Sequence, residues 1–394
     1  MQKLQEAEKR AGSLAIFGKI TKLREEERDD LLNQKGGALQ YLGTMRAMAG
    51  DADGAAQVFS WWRQLKQPEV VNPEARTALE KAIPEDAIRA IVRAARTRQI
   101  VILNEAHHIP EQRVFAMQLA HELKKIGFEY LACETFDEKI PVPMPDGHVS
   151  TSTGFYSKEP MFAAFLRSAH QDGWKLVGYD NMIGSEAAET AEERQRLREL
   201  GAATNLFQRV FEKNIKARVF IYVGYSHASK TPAFQSPTTF AWLAAHLKHQ
   251  LNTDPLTVDQ SAMFSYGNPK AEHPLYRTAI EQQNVNSAFV LKAPNGNYEV
   301  LSDYRGRMDM QVFHPDHSKI SATGRPEWMQ IVAKLKPRHV PADLLPSSGR
   351  RLIQAYFADE GTDSVPVDMV MVEAGKPAPM LMLPKGNFRF RFEE

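Results

Sequence analysis

Residues 100–113 read IVILNEAHHIPEQR, and this stretch decides the fold. Its first four residues are apolar, which is typical of a strand buried on both faces of a parallel sheet. The strand leads directly into Glu105, His107 and His108, and Pro110 then favours the start of a helix. Because carboxylates and imidazoles are costly to bury, their position at a strand end indicates a site for chemistry.

The chain on either side of this stretch repeats the pattern. Further apolar runs, interpreted as strands, occupy residues 128–133, 175–179 and 219–224. Helical patterns over residues 110–127 and 186–216 separate them. Strands that alternate with helices predict an α/β fold with a mostly parallel central sheet flanked by helices.

Three regions follow from these patterns. We expect an N-terminal helical region over residues 1–97, an α/β core over 98–305 and a small β-containing C-terminal module over 306–394. Residues 137–160 are rich in Pro, Ser, Thr and Gly and follow a strand end, so they are expected to form a loop over the active face.

The composition of the 394 residues narrows the function classes. A net charge of +1 argues against a nucleic-acid or anionic-membrane partner and favours a small-molecule or peptide substrate. The single cysteine excludes internal disulfides and a Cys-based zinc site. No run approaches the roughly 18 apolar residues of a membrane span. The sequence as written predicts a cytoplasmic protein, or a periplasmic or secreted one if a leader has been removed. It leaves the oligomeric state open.

Polar and ionisable residues follow every strand of the core. The carboxyl ends of parallel strands meet at one edge of a sheet, where ligands bind. The expected site residues are Glu105, His107, His108, Arg113, Glu134, Tyr179, Asp180, Ser226 and His227. Within this set, Arg113 is expected to hold a substrate carboxylate or to pair with Glu134.

Three short motifs in this region resemble a known superfamily. Residues 104–107, Asn-Glu-Ala-His, resemble its G-E-x-H motif, with asparagine in place of the usual glycine. Glu134 lies where the second glutamate is placed, and residues 224–227, Gly-Tyr-Ser-His, resemble its G-x-x-H motif. The superfamily joins erythromycin esterases, ChaN-like haem-binding lipoproteins and TIKI/TraB metalloproteases. The resemblance spans roughly residues 98–260 and implies Glu105, His107, Glu134 and His227 as the functional set.

Two routes to hydrolysis of an ester or amide fit these residues. In the first, which the resemblance links to the protease branch, the four residues bind a divalent Mn, Fe, Co or Zn ion that activates water. In the second, linked to the esterase branch, His107 is a general base without a metal and a glutamate orients it. His227 or Tyr179 then stabilises the oxyanion. The metal route is the expected one.

Other interpretations remain open at this point. The ChaN-like branch binds haem or iron, so a histidine of this chain could be an iron ligand in a protein without hydrolytic activity. Residues 224–228, GYSHA, also nearly match the nucleophile elbow of serine hydrolases, with Ser226 as the nucleophile. His107 fits the motif spacing better than His108, which is expected to cap or pack against the helix after Pro110.

Overall fold

A computed structural model describes residues 1–66, 70–136, 143–144 and 147–394. Within these residues a nine-stranded sheet forms the centre of the molecule. Its strands are β1 (Ile83–Asp86), β2 (Ile100–Glu105), β3 (Tyr130–Cys133), β4 (Lys175–Val177), β5 (Val219–Gly224), β6 (Leu256–Met263), β7 (Phe289–Lys292), β8 (Tyr298–Glu299) and β9 (Met310–Phe313). The order is β1-β7-β9-β6-β2-β5-β3-β4, with β8 on β7. Every pairing from β9 to β4 is parallel, which confirms the predicted mostly parallel sheet.

Helices cover both faces of the sheet and form the N-terminal region. They are α1 (Gln2–Ala11), α2 (Glu25–Met48), α3 (Ala52–Leu65), α4 (Pro73–Lys81), α5 (Ala87–Ala95), α6 (Pro110–Lys125), α7 (Pro160–Gln171), α8 (Met182–Ser185), α9 (Ala191–Leu206), α10 (Leu243–Gln250), α11 (Tyr276–Gln283) and α12 (Trp328–Ile331). A π-helical turn, Phe207–Phe211, continues α9. Among the described segments, no helix combines the length and the apolar character that crossing a bilayer requires.

The central strand β2 is buried on both faces because its side chains alternate between two cores. Val101 and Leu103 pack under α6 and α7 on one face. Ile100 and Ile102 pack under α9 and α10 on the other. This two-sided burial explains the uninterrupted apolar run, and it leaves only the strand end for polar groups.

The C-terminal segment adds two small antiparallel sheets. Its strands are β10 (Lys336–Arg338), β11 (Arg350–Phe357), β12 (Asp368–Glu373), β13 (Leu381–Leu383) and β14 (Phe388–Glu393). Strand β10 pairs with β13, and β11 lies between β12 and β14. Leu352 and Met369 of this module share a core with α1, α2 and α3, so the two ends of the chain pack together.

The predicted region boundaries need a correction, because they cut through the central sheet. Strand β1 falls in the region expected to be helical, and β9 falls in the expected C-terminal module. Strand β9 lies between β6 and β7 and is fully buried. Four-residue strands carry too little periodicity to be separated from their flanks by pattern alone.

Candidate active site

The carboxyl edge of the sheet opens into a cavity of about 640 Å³. Strands β2, β3 and β5 end there, and the segment after β4 joins them. Ionisable side chains line this cavity, among them those of His107, Glu134, Tyr156, Asp180, Arg198 and His227. The parallel strands thus gather residues that lie far apart in the sequence.

Glu105 and His107 form a hydrogen-bonded pair at the end of β2. Glu105 Oε1 lies 2.8 Å from His107 Nδ1. An ionised carboxylate can only accept, so Nδ1 is the donor of this bond, and in the neutral form of the imidazole Nε2 has the lone pair. His107 lines the cavity, and this pairing gives the site an imidazole with a free basic nitrogen.

A buried arginine holds Glu105 in the ionised state. Arg113 Nε donates to Glu105 Oε2 at 2.9 Å, and Tyr222 Oη donates to the same oxygen at 2.7 Å. Burial alone would raise the pKa of Glu105, but the Arg113 charge and the hydrogen bonds from His107 and Arg113 outweigh it, and the pKa lies well below its ordinary value. Arg113 also donates to Glu159 at 2.8 Å. The prediction that Arg113 binds substrate or Glu134 is therefore wrong.

Asn104, which replaces the usual glycine of the resembled motif, cross-links neighbouring segments. Its Nδ2 donates to the carbonyl of Tyr225 at 2.9 Å, and its Oδ1 accepts from the Gln260 amide at 2.7 Å. Tyr225 has a φ of 41°, in the left-handed region that non-glycine residues rarely adopt. The Asn104 side chain thus ties β2 to β6 and to the strained turn after β5.

Close packing fixes the His107 ring. It stacks on Tyr156, with 3.9 Å between ring centroids and 13° between ring planes. Gly224 lies against its other side, because a Cβ on Gly224 would stand 2.3 Å from His107 Nε2. The imidazole therefore fits only when residue 224 has no side chain.

We expect Gly224→Ala to displace the His107 imidazole and thereby to lower kcat/KM for a reaction in this cavity about 10²-fold. Gly224 has φ −80° and ψ 144°, which alanine adopts without strain, so the fold should persist. Gly37→Ala is the matched control, since a Cβ at that exposed helical position meets nothing within 4 Å. Kinetics and thermal unfolding of both variants check the prediction. A variant Gly224→Ala with full activity would contradict it.

Glu134 lies between the two cavity-lining histidines and is anchored by two donors. Its Oε1 accepts from Arg198 Nη2 at 2.6 Å, and its Oε2 accepts from the Gly224 amide at 2.6 Å. Burial would raise the pKa of Glu134, but the His227, His107 and Arg198 charges and the Gly224 amide lower it to about 2. Glu134 is therefore a fixed anion at neutral pH.

Asp180 completes this group from the segment after β4. Arg198 Nε donates to Asp180 Oδ1 at 2.8 Å, so the same guanidinium bridges Asp180 and Glu134. Asp180 therefore orients the Arg198 guanidinium. A guanidinium with two carboxylate partners holds a rigid geometry at the cavity wall.

A second imidazole–carboxylate pair faces the first. His227 Nδ1 lies 2.6 Å from Glu199 Oε1, and His227 Nε2 lies 3.8 Å from Glu134 Oε1. Burial would lower the pKa of His227, but the charges of Glu199 and Glu134 raise it above its ordinary value. His107 Nε2 lies 4.0 Å from the other oxygen of Glu134, so both Nε2 atoms approach one carboxylate.

Three predicted residues lie elsewhere. His108 is buried and stacks on Phe59 of α3 with 3.3 Å between ring centroids, so it packs against the N-terminal helices. Tyr179 does not line the cavity, and within the described residues its buried hydroxyl has no hydrogen-bond partner. Tyr179 is therefore not placed to stabilise an oxyanion. Ser226 bonds to Tyr304 at 3.3 Å, and Tyr225 rather than Ser226 holds the strained conformation, so the geometry gives the serine alternative no support.

Sequence reasoning missed Arg198, Glu199 and Tyr156. The first two lie in the run EERQRLREL, which reads as an exposed charged helix face. One signal was present: Glu199 shares the i, i+3, i+4, i+7 spacing with Ala202, Ala203 and Leu206, and all four are buried. Part of the expected loop 137–160 lies outside the described residues, but its 151–158 segment lines the cavity and brings Tyr156 onto His107.

The carboxylates among the predicted metal ligands are hydrogen-bonded within the protein. Among residues 1–66, 70–136, 143–144 and 147–394, no three His, Cys, Asp or Glu side chains are grouped as metal ligands. Glu105 accepts hydrogen bonds from Arg113, Tyr222 and His107. Both oxygens of Glu134 also accept short hydrogen bonds. Arginines beside both carboxylates also oppose a cation.

Comparison with known proteins yields only distant structural similarity. No family model matches the chain, and no curated protein matches it. The type III effector HopBA1 is similar over 46% of this chain and 86% of its own, with 15% identity and a TM-score of 0.31. RRSP, a MARTX toxin effector domain from Vibrio vulnificus, is similar over 60% of this chain and 55% of its own, with 15% identity and a TM-score of 0.33. The resemblance to the erythromycin esterase superfamily stays a prediction.

Proposed function

We propose that this protein hydrolyses an ester or amide bond by general acid–base catalysis at His107 and His227, without a metal. The observation that supports this most is the Glu105–His107 pair, in which Nδ1 is bonded to a carboxylate 2.8 Å away and the imidazole lines the cavity. This is the arrangement by which a carboxylate orients a catalytic imidazole in hydrolases. Haem binding is favoured by no feature of the described residues.

His107 acts as the base. Its Nε2 takes a proton from a water molecule as the water oxygen bonds to the substrate carbonyl carbon, and Glu105 stabilises the imidazolium that forms. The carbonyl π bond opens to an oxyanion, which re-forms the C=O bond as the bond to the leaving alcohol or amine breaks. The products are a carboxylic acid and the protonated leaving group. His107 then releases its proton to solvent and His227 takes one up, so both imidazoles regain their starting states and the reaction consumes one water.

His227 acts as the acid. Its raised pKa favours the protonated imidazole, whose Nε2 donates a hydrogen bond to the oxyanion and then a proton to the leaving group. Glu134 separates the two imidazoles, and Arg198 holds Glu134 in place. Two histidines in different electrostatic surroundings thereby take different roles.

The cavity walls point to a substrate with an apolar group. Phe155, Met182 and Ile183 line the cavity and are 46%, 48% and 45% exposed, so they offer apolar contact area beside the polar site. A small-molecule or peptide ester or amide with an apolar substituent fits this surface.

The proposal is tested with p-nitrophenyl esters and peptide p-nitroanilides of increasing apolar size. We expect turnover that survives prolonged treatment with EDTA, because no step requires a metal. Full loss of activity on chelation with recovery on adding Zn²⁺ or Mn²⁺ would restore the metal route. Turnover that persists in His107→Asn and His227→Asn alike would reject both histidines as catalysts.

The pH profile gives a separate prediction about His227. Because its folded-state pKa is raised, kcat/KM is expected to fall on the alkaline side as His227 loses its proton. Glu199→Gln removes a charge that raises this pKa, so the alkaline limb should move to lower pH. Glu193→Gln, at an exposed position on the same helix, is the control and should leave the limb in place. An alkaline limb unmoved by Glu199→Gln would show that another group titrates there.

A further inference from the structure

A second cavity, of about 290 Å³, lies at the carboxyl end of β9. Glu111, Phe115 and Gln118 line it from α6, His314 and His317 line it from the loop after β9, and Asp86, Lys334 and residues 286–288 complete its polar wall. Glu111 and Arg113 are two positions apart on α6, or about 200° around the helix, so this cavity and the active site use different faces of it.

Two ionisable side chains in this cavity form an ion pair that is longer than a hydrogen bond. Glu111 Oε1 lies 3.7 Å from His317 Nδ1, which is beyond hydrogen-bond distance. The Glu111 and His317 side chains are only 14% and 13% exposed, and within the described part of the chain the buried Nδ1 of His317 has no hydrogen-bond partner. Burial raises the pKa of Glu111. The two charges attract each other, but a buried nitrogen without a hydrogen bond is costly, and a group that bridges His317 and Glu111 would remove this cost.

A hydroxyl group suits this gap best. It can donate to the Glu111 carboxylate and accept from a protonated His317, whereas an ammonium can only donate and a carboxylate can only accept. The cavity lining has two acidic residues, Asp86 and Glu111, and two basic residues, Lys334 and His317. Their charges balance, so the cavity does not select a charged ligand.

His314 adds an acceptor of defined orientation. Its Nε2 lies 3.1 Å from Gln260 Oε1, and Gln260 Nε2 donates to the Gln112 carbonyl at 3.2 Å, which fixes the amide. His314 Nε2 therefore carries the proton and Nδ1 keeps a lone pair. Burial lowers the pKa of His314 to about 3, so this imidazole is neutral at physiological pH. Phe115, Ile88 and Val332 supply apolar wall beside these polar groups.

We infer that this cavity is a second ligand site, which binds a neutral, hydroxyl-rich compound of monosaccharide size. Such a compound presents several hydroxyls that donate and accept together with apolar C–H faces, which matches a wall of carboxylate, amide, imidazole and aromatic groups. The inference is independent of the proposed hydrolysis, because it rests on a different cavity.

The test measures binding of D-glucose, D-galactose and D-mannose to the full chain by calorimetry, and it follows the histidine Cε1–H signals by NMR. We expect at least one of the three to bind with millimolar affinity and to shift the signals of His314 and His317. Glu111→Gln and His317→Asn should each weaken this binding about tenfold or more, because each removes a charge-assisted hydrogen bond. Glu122→Gln, at an exposed position of α6 that pairs with Lys125, is the matched control and should bind normally.

Several results would overturn the inference. One is that none of the three sugars binds in the millimolar range, which would mean that the cavity holds water only. Another is that cyclohexanol, which has one hydroxyl, binds as tightly as the best sugar, since the cavity would then not select a hydroxyl-rich compound. A third is that the shifts appear at His107 or His227. Thermal unfolding of both cavity variants shows that they fold, and either one alone suffices for the test.

Discussion

His107→Asn is expected to lower kcat/KM for ester hydrolysis by about 10²- to 10⁴-fold, the range over which general bases contribute. Asparagine can still donate a hydrogen bond to Glu105, but it has no basic nitrogen to take a proton from water. The His107 side chain contacts the cavity on one side, so its replacement should leave the fold intact. Steady-state kinetics with the best p-nitrophenyl ester and circular dichroism of the variant check both parts.

The matched control is His121→Asn. His121 lies on α6, its Nδ1 is 2.9 Å from Asp172 Oδ2, and its side chain is 53% exposed. It is therefore an imidazole–carboxylate pair of similar geometry outside the cavity, and its loss should not change the rate. Equal effects of the two substitutions would contradict a catalytic role for His107. Loss of activity in His227→Asn but not in His107→Asn would make His227 the base.

Arg113→Met is expected to destabilise the protein by about 3–5 kcal/mol, because it leaves two buried carboxylates without their cation. Arg113 is 1% exposed, and its guanidinium bonds Glu105 and Glu159 at 2.8–2.9 Å. Methionine fills a similar volume, so the effect measures charge and hydrogen bonding more than a cavity. Urea unfolding at neutral pH gives the free energy of unfolding.

The pH dependence of this loss has a definite sign. The folded-state pKa of Glu105 lies below its ordinary value of 4.5, so its ionised form stabilises the wild type above that pH. This contribution is lost as the pH falls through the depressed pKa. The stability difference between the wild type and Arg113→Met should therefore shrink as the pH is lowered below 4.5.

Arg93→Met is the control, because it removes a similar arginine–carboxylate ion pair that is exposed to solvent. Arg93 Nη2 donates to Glu85 Oε2 at 2.7 Å, but the Arg93 side chain is 51% exposed. Exposed pairs of this kind contribute about 0.2–1 kcal/mol. A loss of stability as large as that of Arg113→Met would mean that burial is not what makes Arg113 important.

The sequence was sufficient to predict which strand ends meet, since this depends on a local pattern and a general rule. Strands β2, β3 and β5 are largely buried apolar runs, and the carboxyl ends of neighbouring parallel strands converge by topology. Glu105, His107, Glu134 and His227 could therefore be assigned to one site before their distances were known. Asp180 was found by the same argument.

The partners of these residues could not be predicted in the same way. Glu199 and Arg198 reach the site only because α9 packs across the ends of β3 and β5, and neither its register nor its rotation is encoded in a local motif. Tyr179 was predicted as a site residue because it follows a strand. Neighbouring side chains point in opposite directions, so the Tyr179 side chain lies in the core and the Asp180 side chain faces the cavity. Tertiary packing decides such choices.

The stack of Phe59 on His108 has a consequence for how new variants of this protein can arise. Phe59 fits there because Gly43 on α2 has no side chain, and a Cβ at Gly43 would stand 2.3 Å from the Phe59 ring. A substitution at Gly43 on α2 would therefore displace Phe59 of α3 and, through it, His108, the neighbour of His107. Laboratory selection for altered turnover should recover changes in the first 66 residues as well as around the cavity, and libraries confined to the cavity walls would miss them.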